Sequence, residues 1–219
     1  MSSKSKLSSS KTAKKIGATR AASGRASGNN SEAAAQVFKN QAAWSTWLEK
    51  NHSHSTGIWV RLAKKNSGLK SVTYAEALES ALCYGWIDGK KRPDSEQAWL
   101  QRFCPRSEKS IWSKINRDKA LGLIKAGRMA AAGLQAIEQA QKNNRWKSAY
   151  DSPRSASIPD DFQAALKSNP KANGFFETLE RRNRYAILFR IQTVKKPETR
   201  VRNIQKFIAM LERGEKIHP

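Results

Sequence analysis

The sequence predicts an α+β protein, mainly helical, with a small three-stranded antiparallel sheet and a disordered basic N-terminal tail. Three observations predict it. All seven tryptophans (44, 47, 59, 86, 99, 112 and 146) fall between positions 44 and 146, and large aromatics dominate core burial, so an ordered core is centred there. Strand-like segments occur only between Ile58 and Phe103, while everything beyond Pro105 carries helical spacing. The first 35 residues are Ser, Ala, Gly, Lys and Arg with almost no large apolar side chain, a composition that cannot offset the entropy of ordering.

In chain order, order begins near Val37 and Phe38. Ala42, Ala43, Trp44, Trp47 and Leu48 sit at helical spacing and predict a helix over 40–50. Ile58 to Leu62 reads as a strand, followed by a basic loop over 63–70. Thr73 with Glu76 three residues later is a capping box that opens a helix through Ala77, Leu78, Ala81 and Leu82. Tyr84 to Ile87 and Ala98 to Phe103 supply the other two strands, with the Tyr74 helix packed on one face of the sheet. Between the last two strands, Asp88-Gly89 reads as a structural turn, because Gly accepts positive φ and Asp can bond its own backbone. Three cationic neighbours, Lys90, Lys91 and Arg92, favour the charged form of Asp88, which suits it poorly to general-acid work. The functional alternative for Asp88 is an ion pair holding the basic loop.

The helical half follows. One helix runs over 116–126 and closes at Gly127; a second, over 130–141, closes at Asn143-Asn144. A linker over 145–157 contains Pro153. Pro159-Asp160-Asp161 starts the next helix with proline and acids in its first turn. Asn169-Pro170 restarts the chain, Asn183 to Val194 forms a further helix, and Pro197-Glu198 opens the last, ended at Gly214. The expected organisation is a tail over 1–35, an α+β domain over 36–150 and a C-terminal helical module over 151–219.

Charge limits the partners. Of 41 basic residues, seven lie in 1–31, where no acid occurs; the remaining 34 against 18 acids leave +16 on the rest of the chain. Such a surface favours polyanions: nucleic acid, anionic lipid surfaces or acidic proteins. Two cysteines, Cys83 and Cys104, are too few for a secreted disulfide scaffold and suit a reducing compartment. The longest apolar runs fall far short of the roughly 18–20 residues of a membrane span. The tail has serine and lacks acids, but its lysines outnumber its arginines five to two, so a cytoplasmic or nuclear location is preferred to the mitochondrial matrix.

The stretches VTYAEALESALCYGWIDGKKR, WLQRFCPR, IWSKIN and FFETLERRNRYAILFRIQTVKKPETRVRNIQKFIAML carry a family resemblance. Together they resemble the YdeI/OmpD-associated family, also called bacteriocin-protection proteins, from about Val37 to Glu215, the last part resembling its helical C-terminal module. Cys104 stands where the family pattern implies threonine. The resemblance implies a small cytoplasmic bacterial protein linked to outer-membrane stress and to protection against antimicrobial peptides. It carries over no catalytic residues.

Two basic clusters are the candidate binding residues. Lys90, Lys91 and Arg92 with Arg102 and Arg106 stand beside Trp86 and Trp99; Lys195, Lys196, Arg200 and Arg202 surround the start of the last helix, where free backbone N–H groups suit an anion. The bland reading of both is a solvated basic surface. His52 and His54 flank a serine in a polar loop with no further ligand at metal-site spacing, so no metal and no cofactor are expected. Cys83 reads as a small buried hydrophobe, with Cys104 near it if their segments pair. Nucleotide-binding and nucleophile-elbow motifs are absent. The favoured function is therefore non-enzymatic: a stress- or resistance-associated protein that binds a polyanion through its basic clusters. The alternatives are an interaction module with a single protein partner, and a small-molecule enzyme using Asp88 or Tyr84.

Overall fold

The computed structural model of the protein describes residues 35–219. The disordered-tail expectation concerns residues that lie outside the described ones. Helix α1 (Gln41–Asn51) follows Asn40, whose side chain accepts from the Ala43 amide at 3.0 Å. Strand β1 (Ile58–Ala63) comes next, then α2 (Tyr74–Cys83). The expected capping box opens α2: the Thr73 hydroxyl accepts from the Glu76 amide at 3.3 Å, and the Glu76 carboxylate accepts from the Thr73 amide at 2.9 Å. Strands β2 (Trp86–Pro93) and β3 (Ala98–Pro105) complete an antiparallel sheet in the order β1-β3-β2. Six helices follow: α3 (Lys114–Lys125), α4 (Ala131–Lys142), α5 (Asp160–Lys167), α6 (Pro170–Thr178), α7 (Arg181–Gln192) and α8 (Pro197–Glu212). The fold is thus α+β and mainly helical, as the periodicities predict.

The turn at Asp88-Gly89 is corrected by the structure. Both residues lie inside β2, which runs on to Pro93, and the reversal falls at Asp94–Gln97. There the Ser95 hydroxyl accepts from the Ala98 amide at 3.1 Å. The pairing register with β3 shifts between Asp88 and Lys91, so Gly89 and Lys90 form a bulge. The physical reason sits on the neighbouring strand. Gln101, 3 % exposed, donates its amide to the Gly89 carbonyl at 3.0 Å and to that of Lys90 at 3.3 Å. A side chain thereby satisfies backbone groups that the bulge withdraws from the ladder.

Three apolar clusters hold these elements. In the first, Trp44 and Leu48 of α1 and Ala77 and Ala81 of α2 pack on Val60, Leu62, Trp86 and Phe103 of the sheet. Leu78, Leu82 and Cys83, on the other side of α2, meet Trp112, Ala120, Leu123, Ile137 and Ala140. Helices α5 to α8 make their own cluster from Phe162, Leu166, Phe176, Ile187, Ile191, Ile204, Phe207 and Leu211. Asp151 ties the segment between α4 and α5 to both sides. Its carbonyl accepts from the Tyr185 hydroxyl at 2.9 Å, and its carboxylate meets Gln192 at 2.7 Å and Lys114 at 2.6 Å.

Candidate functional site

The basic residues of the sheet are built around an aromatic that the sequence reading did not single out. Trp59 of β1 stands directly opposite Arg102 of β3, so both side chains leave the same face. Arg92 of β2 lies over the Trp59 ring, 4.5 Å from its centroid, a cation–π arrangement. Lys90, in the bulge, and Lys91, whose pairing with Gln101 turns it to the other face, are both exposed on the same strand. Of the aromatics expected beside this cluster, Trp86 sits elsewhere, 1 % exposed in the core, whereas Trp99 packs against Tyr74 at 5.9 Å and lines a cavity together with Lys91 and Arg92. The signal for Trp59 was present in the strand: Ile58, Val60 and Leu62 alternate inward, which turns Trp59 and Arg61 outward.

Arg106 leaves this surface group. Its guanidinium lies 3.5 Å over the Trp112 ring and donates to the Ile111 carbonyl at 3.2 Å. Burial pulls it down to about 10, with the Asp88 charge acting in the opposite direction, so it stays charged at neutral pH. Asp88 accepts from the Tyr74 hydroxyl at 2.8 Å, which ties the bulge to the first turn of α2. Burial first, and the bond to Asp88 second, raise the Tyr74 phenol well above its ordinary value. Tyr84, the other enzyme candidate, has its ring against His52 at 5.2 Å, and burial raises its hydroxyl too. Both cysteines are free, and burial raises both thiols, which disfavours the nucleophilic thiolate. Among the described residues no group of three or more His, Cys, Asp or Glu could hold a metal ion, and no helix is long and apolar enough to cross a membrane.

In the C-terminal cluster, Lys195, Lys196 and Arg202 are exposed. Lys196 is the N-cap of α8 and makes no side-chain cap bond; Glu198 occupies the first turn. Arg200 is engaged. It grips Asp161 of α5 through two bonds of 2.6 and 2.8 Å and donates to the Ile191 carbonyl at 2.7 Å. Those bonds are the main reason the Asp161 carboxyl is held below its usual range. A carboxylate depressed on folding stabilises above its unfolded pKa, near 3.9, and that contribution disappears as pH falls through the folded value. Asp161→Asn is therefore expected to lower stability at neutral pH by at most about 1 kcal/mol, since the pair is partly exposed. The gap between the two melting curves closes as pH falls below about 4. Melting temperatures of both proteins across acid pH check this, and a gap independent of pH would contradict it.

Comparison with known proteins divides the chain. Residues 36–136 match a domain of unknown function (DUF8412), and residues 155–214 match the family described as bacteriocin-protection, YdeI or OmpD-associated. The family resemblance drawn from Val37 to Glu215 is thus carried by the C-terminal part, while the sheet and its helices match a separate domain. No curated protein and no solved structure matches the chain. Helices α5 to α8, with the exposed Lys195, Lys196 and Arg202 at the start of the last, lie within the stretch that is similar to the bacteriocin-protection, YdeI or OmpD-associated family.

Proposed function

We propose that the protein binds a polyanion, foremost the phosphate backbone of nucleic acid, and catalyses no reaction on it. The observation that carries this reading is the Trp59, Arg92 and Arg102 group on one sheet face, with exposed Lys90 and Lys91 beside Arg92 on the same strand. Cationic side chains supply phosphate contacts, and an aromatic among them offers a stacking surface for bases. Lys195, Lys196 and Arg202 add positive charge from the helical module, and residues 1–31 add seven further basic groups. Such binding fits a resistance-associated role, in keeping with the name of the matched family, and two cysteines suit a reducing compartment, cytoplasmic or nuclear.

The test is fluorescence anisotropy of the full chain with labelled duplex DNA and RNA at several salt concentrations. Log affinity is expected to fall linearly with log salt, with a slope near −0.9 for each contacted phosphate on duplex DNA. The double substitution Lys90→Glu and Lys91→Glu is expected to flatten that slope by about 2. Absence of salt-dependent binding to either nucleic acid would end the proposal. A second reading, a single protein partner, draws on Leu121, Ile124 and Leu134, which α3 and α4 leave substantially exposed. One stoichiometric partner retained at high salt, where phosphate contacts fail, would favour it.

A further inference from the structure

A cleft of about 450 Å³ opens between the end of α1, the turn after α2, the 105–110 loop and helix α4. Its size falls within the range of small-molecule sites. The turn at its edge is shaped by Gly85, whose carbonyl accepts from the Arg106 amide at 3.0 Å. Two arginines belong to its lining, and each has unmet hydrogen-bonding capacity.

Arg106 spends one nitrogen on the Ile111 carbonyl, but its Nε and Nη2 are shielded from solvent and have no partner. Arg145 donates from Nη1 to the Lys109 carbonyl at 2.7 Å, while its Nε is likewise shielded and unpartnered. Local bonds frame the pair. Asn143 donates its amide to the Glu108 carbonyl at 3.1 Å and accepts from the Arg145 amide at 3.2 Å, so the loop and the start of the linker are held together. A buried donor without a partner is costly, and more so when it is charged. Oxyanions are what the planar guanidinium fork matches best. The rest of the lining suits a small polar molecule: Gln135 and Gln139 of α4 offer amides, and Trp112 offers an apolar wall. Glu108 is the sole carboxylate among the lining residues, and it is exposed.

We propose that this cleft binds a small molecule bearing an oxyanion, a carboxylate or a phosphate, with Arg106 and Arg145 as its recognition groups. The site uses different residues from the polyanion surface, so either reading can fail alone.

Arg106 also packs on Trp112, and removing it could unfold the protein, so the test uses two gentler variants. Arg145→Gln withdraws one guanidinium from a half-exposed position. Gln135→Trp fills the cleft from an exposed position of α4. Isothermal titration calorimetry of the full chain is run with inorganic phosphate and with malonate, ionic strength being matched with sodium chloride. Saturable binding of at least one anion is expected, weakened about tenfold or more in both variants while their circular dichroism stays native. Which anion binds identifies the head group. The proposal is overturned if neither anion gives a saturable heat, or if both folded variants bind as tightly as the parent.

Discussion

Gly133→Ala is expected to destabilise the protein by about 2–3 kcal/mol, although the same change at an open helical position stabilises by up to about 1 kcal/mol. Gly133 is buried in α4, where that helix meets the end of α2. A Cβ there would lie 2.3 Å from the Cys83 carbonyl oxygen and 2.3 Å from the Met129 sulfur. The sulfur belongs to a flexible side chain and can move. The carbonyl cannot, because it ends α2 and already accepts from the Ala130 amide at 3.1 Å. Relief requires α4 to shift, and α4 carries Gln135 and Gln139 of the cleft. Neighbouring Gly85 adds to the constraint: its φ of +72° disfavours any side chain, and an added Cβ would sit 2.8 Å from the Ala132 carbonyl oxygen. The sign of the effect makes the test sharp. Gly122 of α3 has nothing within 4 Å of its missing Cβ, so Gly122→Ala should raise the urea midpoint while Gly133→Ala lowers it. A raised midpoint for both would mean that α2 and α4 do not approach as closely as described.

Trp44→Ala is expected to cost more, about 3–5 kcal/mol, and so a large part of an ordinary domain's stability. The residue is 0 % exposed. Its ring stacks on Trp47 at 5.3 Å, leans on Phe38 at 4.9 Å and on Phe103 at 5.5 Å, and its indole nitrogen donates to the Ala77 carbonyl at 3.0 Å. One side chain therefore joins α1, α2 and the sheet. Trp44→Phe should recover most of the loss, since the ring volume is largely kept and one hydrogen bond is worth about 1 kcal/mol. Urea denaturation of the three proteins measures both steps. A loss below about 1 kcal/mol for the alanine variant would show that Trp44 does not organise this core.

Where a signal is local, it was legible. Thr73 and Glu76 lie three residues apart and cap α2 by themselves. Asn169 ahead of Pro170 caps α6, its side chain accepting from the Ala172 amide at 3.0 Å, and the acids at 160 and 161 stand in the first turn of α5. The alternation of β1 separates inward from outward residues and puts Trp59 among the latter, a signal present in the sequence that was not used. The turn at Asp88-Gly89 was misread because its composition suits a turn and nothing in the segment opposes one. Gln101, on the next strand, makes the extended bulge stable instead. Neither Arg106 nor Arg200 could be sorted from its surface neighbours, because Asp161 lies 39 positions before Arg200 and the Trp112 ring meets Arg106 only once the 105–110 loop is folded.

By itself, then, the sequence determined the class of the fold, the start of most helices and the strong positive charge. Each of these rests on neighbours within a turn or two of chain, or on composition. Only the tertiary structure decided which basic residues remain in solvent, which lie against an aromatic ring or a carboxylate, and that two arginines share the lining of one cleft. Those outcomes depend on contacts between distant segments. A guanidinium has the same chemistry at every position; what it can bind is set by the partners that folding brings to it and by the donors that folding leaves unmet.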